Sequence, residues 1–267
     1  MEDYSASDTD GAWILWSGSL VLARCVEAHA VAAASSAAGV DGSVAAASSL
    51  VAVELGAGSG LVSVAAGGVG LAAVATEQDS GLPYLTANTD ANRALFADSS
   101  GSCQVRRLHW GCAEDMRAVA SVVRLAQGDS GTGREAPALL LGSDLTYLPA
   151  VMEPLASTLA QLAGPSTIAW IAHDDASHPG CPKHRETFFG TPRAQSQRAR
   201  NAKRPLELGS EPEPEPEPEA AELEPGAAPW QGTHVGGIVD AHGFSVQVVP
   251  VERLIAEEWR CASPHSF

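Results

Sequence analysis

The chain is expected to fold as an α/β protein around a parallel, doubly wound sheet, on three grounds. Short apolar runs recur along it, separated by segments of helical length, which is the rhythm of strand, crossover helix and parallel strand. The runs are apolar nearly throughout, as strands covered on both faces must be. The first of them, Leu50-Val51-Ala52-Val53-Glu54, passes directly into Leu55-Gly56-Ala57-Gly58-Ser59-Gly60-Leu61, with glycine at every second position of the turn. Glycine takes positive φ without penalty and lets the backbone come close to a ligand, so such a turn at a strand end is a nucleotide-cofactor turn.

Trp13 to Ala30 reads as an opening segment and a helix, with Leu20, Ala23, Val26 and Glu27 at helical spacings. Residues 31–48 are Ala and Ser with a few glycines, and either extend that helix or form a connection. Strand 50–54 then leads through the glycine turn to a helix at about 59–67 and a strand at 71–76. A helix at about 81–93 and a strand at 103–108 follow. A helix near 113–126, a polar loop from Gln127 to Ala136 and a strand at 138–143 come next. Helix 150–163 ends at Gly164-Pro165, a pair that cannot continue it, and strand 167–172 follows. Gly243 to Val249 alternates as a strand, Val251 to Glu258 as a short helix, and Trp259 to Phe267 supplies a final edge strand.

Between about 191 and 235 this rhythm breaks. Arg193, Arg198, Arg200, Lys203 and Arg204 precede Glu-Pro repeats from Glu211 to Glu219, which suit neither a central strand nor a helix. The segment reads as a disordered, low-complexity insertion in a single domain of 1–267. It is either a solvated linker or a surface that docks a protein partner.

The formal charge of −16 argues against a general nucleic-acid binder, although eight of the acids lie in the run from Glu207 to Glu224. Five cysteines without a Cys-x-x-Cys pair favour reduced thiols in a cytoplasmic or nuclear compartment. Met1 to Asp10 lacks the basic and apolar regions of a secretory signal, so an intracellular protein is expected. Residues 49–76 resemble a membrane span by hydropathy, but their six glycines and strand-turn-helix-strand rhythm fit a buried βαβ unit, and no membrane partner is expected.

Ligands of open α/β sheets sit at the carboxyl ends of the strands, so the residues that end each strand carry the functional reading. A nicotinamide or flavin fingerprint needs a glycine at position 61, where the chain has Leu61. The remaining pattern suits S-adenosylmethionine, which has no pyrophosphate to seat; Glu54 complements its ammonium and sulfonium side. Glu77 ends the second strand, 21 residues after Gly56, where an acid can accept both ribose hydroxyls. His109-Trp110-Gly111 ends the third and brings an aromatic within reach of an adenine. Asp144 and Tyr147, on the loop leaving the fourth, can both face the pocket mouth. His178, Cys181 and His184, with His173 nearby, have metal-ligand types but lack a second close pair, and no metal is expected. No Gly-x-Ser-x-Gly elbow, P-loop lysine or His-Glu-x-x-His helix occurs.

With these residues in hand, the chain resembles the seven-β-strand, class I methyltransferases, and within them the methyltransferase family 16 type of non-histone protein-lysine methyltransferases. Leu15-Trp16-Ser17-Gly18-Ser19-Leu20-Val21-Leu22-Ala23 is similar to that family's tryptophan-containing motif, and Glu54 to Leu61 to its cofactor loop. Thr76-Glu77 with Leu82, Tyr84, Leu85, Asn88 and Asn92 resembles its second strand and following helix. Leu108-His109-Trp110-Gly111 resembles its Trp-Gly step, and Asp144-Leu145-Thr146-Tyr147 its Asp-x-x-Tyr motif. The resemblance covers about 13–172, and more faintly 243–262.

It implies a Rossmann-like, seven-stranded, mostly parallel sheet with helices on both faces, and S-adenosyl-L-methionine as cofactor. It further implies that Trp16, Gly56, Gly58, Gly60, Glu77, Trp110 and Ser143 line the cofactor pocket with Glu54, and that Asp144 and Tyr147 face the methyl acceptor. The implied partner is a protein with an accessible lysine, whose amine Asp144 would orient. Three departures stand out: Glu77 replaces the family's more usual Asp, Ala172-His173-Asp174-Asp175-Ala176-Ser177-His178 replaces a basic or aromatic stretch, and the Glu-Pro insertion is unexpected there. Competing readings are a methyltransferase for small molecules or other side chains, and an inactive cofactor-binding scaffold acting through 191–235.

Overall fold

The computed structural model describes residues 14–38, 50–127, 136–174, 181–189, 191–192, 233–235, 239, 242 and 246–247. Five strands, β1 (Val51–Glu54), β2 (Ala72–Glu77), β3 (Ser102–Arg107), β4 (Leu139–Ser143) and β5 (Ile168–Ala172), form one sheet in the order β3-β2-β1-β4-β5. Every pair in it is parallel. The crossovers are α1 (Ser17–Ala38) before the sheet, then α2 (Leu61–Gly68), α3 (Leu82–Ala91), α4 (Ala94–Ala97), α5 (Ala113–Gln127) and α6 (Pro149–Leu162).

Side chains alternate between the two faces of a strand, and the sheet uses both. Val51, Val53, Val74 and Leu140 pack with Met116, Val119 and Val123 of α5 and Met152, Leu155 and Leu159 of α6. Ala52, Ala73, Leu139 and Leu141 point the other way, against α1 and α2. The central strands are therefore buried on both sides, which is why their sequences lack a polar stripe.

Helix α1 continues through the Ala/Ser stretch as far as Ala38, resolving 31–38 as helix; 39–49 lie outside the described residues. Alanine is the best helix former, and Leu22, Val26, Ala30 and Ala34, four apart, are all buried against the sheet and α2. The helix expected over 81–93 is α3, which ends at Ala91, and the short α4 follows it. The Asn92 amide donates to the Asn88 carbonyl at 2.8 Å, and this local competition with the helical ladder coincides with the end of α3.

The seven-stranded expectation is corrected to five strands in the parallel sheet among the described residues. A separate antiparallel sheet contains β6 (Thr191–Pro192), β7 (Thr233–Val235) and β8 (Val246–Gln247). The strand expected at 243–249 is described at 246–247 as β8, and it pairs with β7 rather than with the five-stranded sheet. The expected helix at 251–258 and final strand at 259–267 lie outside the described residues. Both ends of the 191–235 segment are paired strands, with Thr191 opposite Val235, and 193–232 lie outside the described residues.

A helix that the sequence did not suggest, α7 (Cys181–Phe189), carries Phe188 into the core on the α6 side, where Val239 joins it. No helix among the described residues is long and apolar enough to cross a membrane.

Candidate functional site

The strand order reverses between β1 and β4, because the chain leaves β1 toward β2 and later returns to pair β4 on β1's other side. A crevice opens at the carboxyl ends of the strands at such a switch point. The glycine turn lies on its floor. Gly56, Gly58 and Gly60 have φ of 58°, 51° and 83°, values that a side chain resists. The turn is tied at both ends: Leu55 N–H donates to Leu141 O and Ala57 N–H to Thr76 O, each at 2.9 Å.

A Cβ on Gly56 would meet the Trp110 ring at 3.1 Å and Leu145 at 3.0 Å, so Trp110 and the β4 exit loop both close on this turn. A Cβ on Gly60 would lie 2.6 Å from Leu85 of α3.

Glu77 reaches back from the end of β2. Its Oε2 accepts the Gly58 N–H at 3.0 Å and its Oε1 the Gln78 N–H at 2.9 Å. Burial raises its pKa, against the lowering effect of those two bonds. Glu54 is more enclosed. Its Oε2 accepts both the backbone N–H and the hydroxyl of Ser63 in the first turn of α2. Burial pushes its carboxyl up to about 8, despite the Ser63 bonds.

On the other side of β1, Ser143 ends β4 and Asp144 takes a φ of 54°, a left-handed conformation that Asp tolerates better than most residues. Both of its carboxylate oxygens accept backbone amides: Oδ2 from Gly18 and Oδ1 from Asp174, each at 3.0 Å. Burial raises its pKa, more than these bonds lower it. Trp16 directly precedes α1 and is 39% exposed, and Tyr147 is 49% exposed.

Several of the residues singled out in the sequence lie against one another. Glu77 bonds the Gly58 amide, Trp110 and Leu145 both lie against Gly56, and Asp144 bonds Gly18 in the turn that follows Trp16. The sequence did not reveal Ser63 as Glu54's partner. Nor did it reveal a cluster beside the crevice, in which Asp115 of α5 accepts the His109 N–H at 2.9 Å and the Arg107 guanidinium at 2.9 Å. The His109 amide and Arg107 hold the Asp115 carboxyl down to about 2. An acid in the first turn of α5, six residues beyond His109, was the available signal. Cys181 and His184 lie on α7, His178 lies outside the described residues, and no group of three metal-ligating side chains occurs among the described ones.

A family model described as lysine methyltransferase matches residues 4–192, well over half of the chain. The chain belongs to the lysine methyltransferase family. Among curated proteins nothing matches it. As a class I member of this family it is an S-adenosylmethionine-dependent methyltransferase, and the family implies a protein substrate. The crevice suits that methyl donor on the chemistry of its own groups. A Cβ-free position at Gly56 lies against an aromatic ring, an acid at the end of β2 accepts the Gly58 N–H of the turn, and a second acid lies buried at the end of β1.

Proposed function

We propose that this enzyme moves a methyl group from S-adenosylmethionine to the ε-amine of an accessible lysine in a non-histone protein. The observation that supports this most is the placement of two acidic loops on either side of the glycine turn: Glu77 bonded to Gly58 on one side, and the Asp144–Tyr147 loop on the other. They end β2 and β4, two strand spacings apart, about 10 Å. That span matches a nucleoside bearing an amino-acid tail.

Glu77 would accept the ribose hydroxyls and Trp110 face the adenine, while Glu54, 2% exposed and bonded to Ser63, would brace the turn from within the fold rather than meet the cationic end. Gly56, Gly58 and Gly60 keep that wall free of side chains, and Trp16 and Ser143 complete it. The bound donor supplies a methyl group already activated by a positive sulfur. The protein therefore needs no covalent intermediate, and alignment with exclusion of water does most of the work. A lysine ammonium has a pKa of about 10.4, and both burial and a nearby positive charge lower it, so the channel itself favours the neutral amine. Tyr147 walls that channel, with Asp144 at its base.

The assignment takes 1–267 as one catalytic domain, cytoplasmic or nuclear, without nucleic-acid or membrane partners. The stretch at 191–235 begins and ends in the paired β6 and β7, and it serves either as a solvated linker or as a surface for a protein partner. Calorimetric titration of the purified protein with S-adenosylmethionine and, separately, with NAD tests the cofactor, and heat with the first alone is expected. Incubation of a lysate with radiolabelled donor, resolved by gel, then tests the acceptor. Label confined to small molecules would overturn the protein-lysine reading.

A further inference from the structure

His173 and Asp174, which follow β5, are built into the contacts of the Asp144 loop. Ser17, the first residue of α1, donates its hydroxyl to Asp174 Oδ2 at 2.6 Å. The Asp174 backbone N–H donates to Asp144 Oδ1, and the Gly18 N–H to Asp144 Oδ2, each at 3.0 Å. His173 Nδ1 lies 3.0 Å from the hydroxyl of the fully buried Thr146. Three segments far apart in sequence thus meet: the start of α1, the β4 exit loop and the end of β5.

The contact is tight. A Cβ on Gly18 would meet the Asp144 carboxylate, so any side chain there would push Asp144 away from the Gly18 amide. The first amides of a helix have no intrahelical partner and carry partial positive charge. Asp144 caps one of them from a distance of 126 residues. Trp16 is fixed through the same turn, since its carbonyl accepts the Ser19 N–H at 3.1 Å and the Ser19 hydroxyl at 2.7 Å.

We propose that Ser17, Asp144 and Asp174 form a latch that holds the first turn of α1, and with it Trp16, against the cofactor end of the sheet. On this reading Asp144 is a positioning residue for the methyl donor, its two oxygens committed to backbone amides. The proposal rests on the methyltransferase reading and deepens it by giving Ser17 and Asp174 a part in donor binding.

Three variants test it: Ser17→Ala, Ser17→Thr, which keeps the hydroxyl, and Asp144→Asn, which leaves one oxygen for two donors. The first readout is hydrogen exchange at the Gly18 amide in the donor-free protein. The second is the calorimetric Kd for S-adenosylmethionine, with the split between KM for the donor and kcat. Ser17→Ala is exposed and simple to accommodate; it should speed exchange at Gly18 and raise Kd and KM about threefold, with kcat nearly unchanged. Ser17→Thr should restore both. Asp144→Asn should weaken donor binding about tenfold, because the acceptor lost there is charged and partly buried.

Unchanged exchange and Kd in Ser17→Ala, or an Asp144→Asn variant that binds the donor normally and loses only kcat, would overturn the latch. A wild-type protein that binds no S-adenosylmethionine would instead overturn the function on which it rests.

Discussion

Glu54→Gln isolates a single titration at the heart of the site. The Glu54 carboxyl is 2% exposed, and burial raises its pKa from an ordinary 4.5 to about 8 in the folded protein. Between those values the folded state holds a proton that the unfolded chain has released, so stability falls as pH rises through that window. The whole traverse corresponds to roughly 3–5 kcal/mol, at about 1.4 kcal/mol for each tenfold change in proton affinity. Glutamine has the same size, and its carbonyl can still accept the Ser63 amide and hydroxyl that Glu54 Oε2 now accepts. The variant should therefore keep the fold but lose this part of the pH dependence. Urea unfolding of both donor-free proteins from pH 5 to 8.5 measures it. Glu77 and Asp144 also have raised pKa values and give wild type and variant a shared slope of the same sign, so the difference between the two curves is the quantity to read. It should grow with pH in favour of Gln; parallel curves would refute a buried, protonated Glu54.

Gly60→Ala should cost about 1–3 kcal/mol, since it forces a side chain into φ of 83° and against Leu85, whereas Gly68→Ala, in open space within α2, should stabilise by about 0.5 kcal/mol. Thermal melts of the pair check the contrast, and equal effects would sink the argument. Leu155→Ala removes a fully buried side chain between α6 and the sheet, for an expected loss of about 2–5 kcal/mol by urea unfolding. Asp115 contributes stability above its ordinary pKa of 3.8 that disappears as pH falls toward 2. Its partner Arg107 is half-exposed and screened, so Asp115→Asn should cost about 1 kcal/mol at pH 7, a cost that shrinks as pH falls from 3.8 through about 2, as acid titration of both proteins would reveal.

The glycine turn, Glu77 and the Asp144 loop were legible in the sequence because each is a strand end, and strand ends are marked by a local change from apolar to polar or glycine residues. The alternation of five strands with helices was legible for the same reason, and so was burial of the sheet on both faces. Helix α7 was not: Cys181 to Phe189 has little amphipathic pattern, and its packing comes from Phe188 reaching the core. The strand at 246–247 was visible as a strand, but its partner was not, since pairing with β7 depends on where the chain returns after 193–232.

Chain-local chemistry determined the α/β class, the cofactor turn and the acids around it, because periodicity and glycine sterics act between near neighbours. Only the tertiary structure decided what those acids touch. Glu54 is turned onto Ser63, and Asp144 is divided between Gly18 and Asp174, 126 and 30 residues away. Those partners are set by how α1 and β5 pack onto the sheet. A carboxylate buried there must take whatever donors that packing brings within 3 Å.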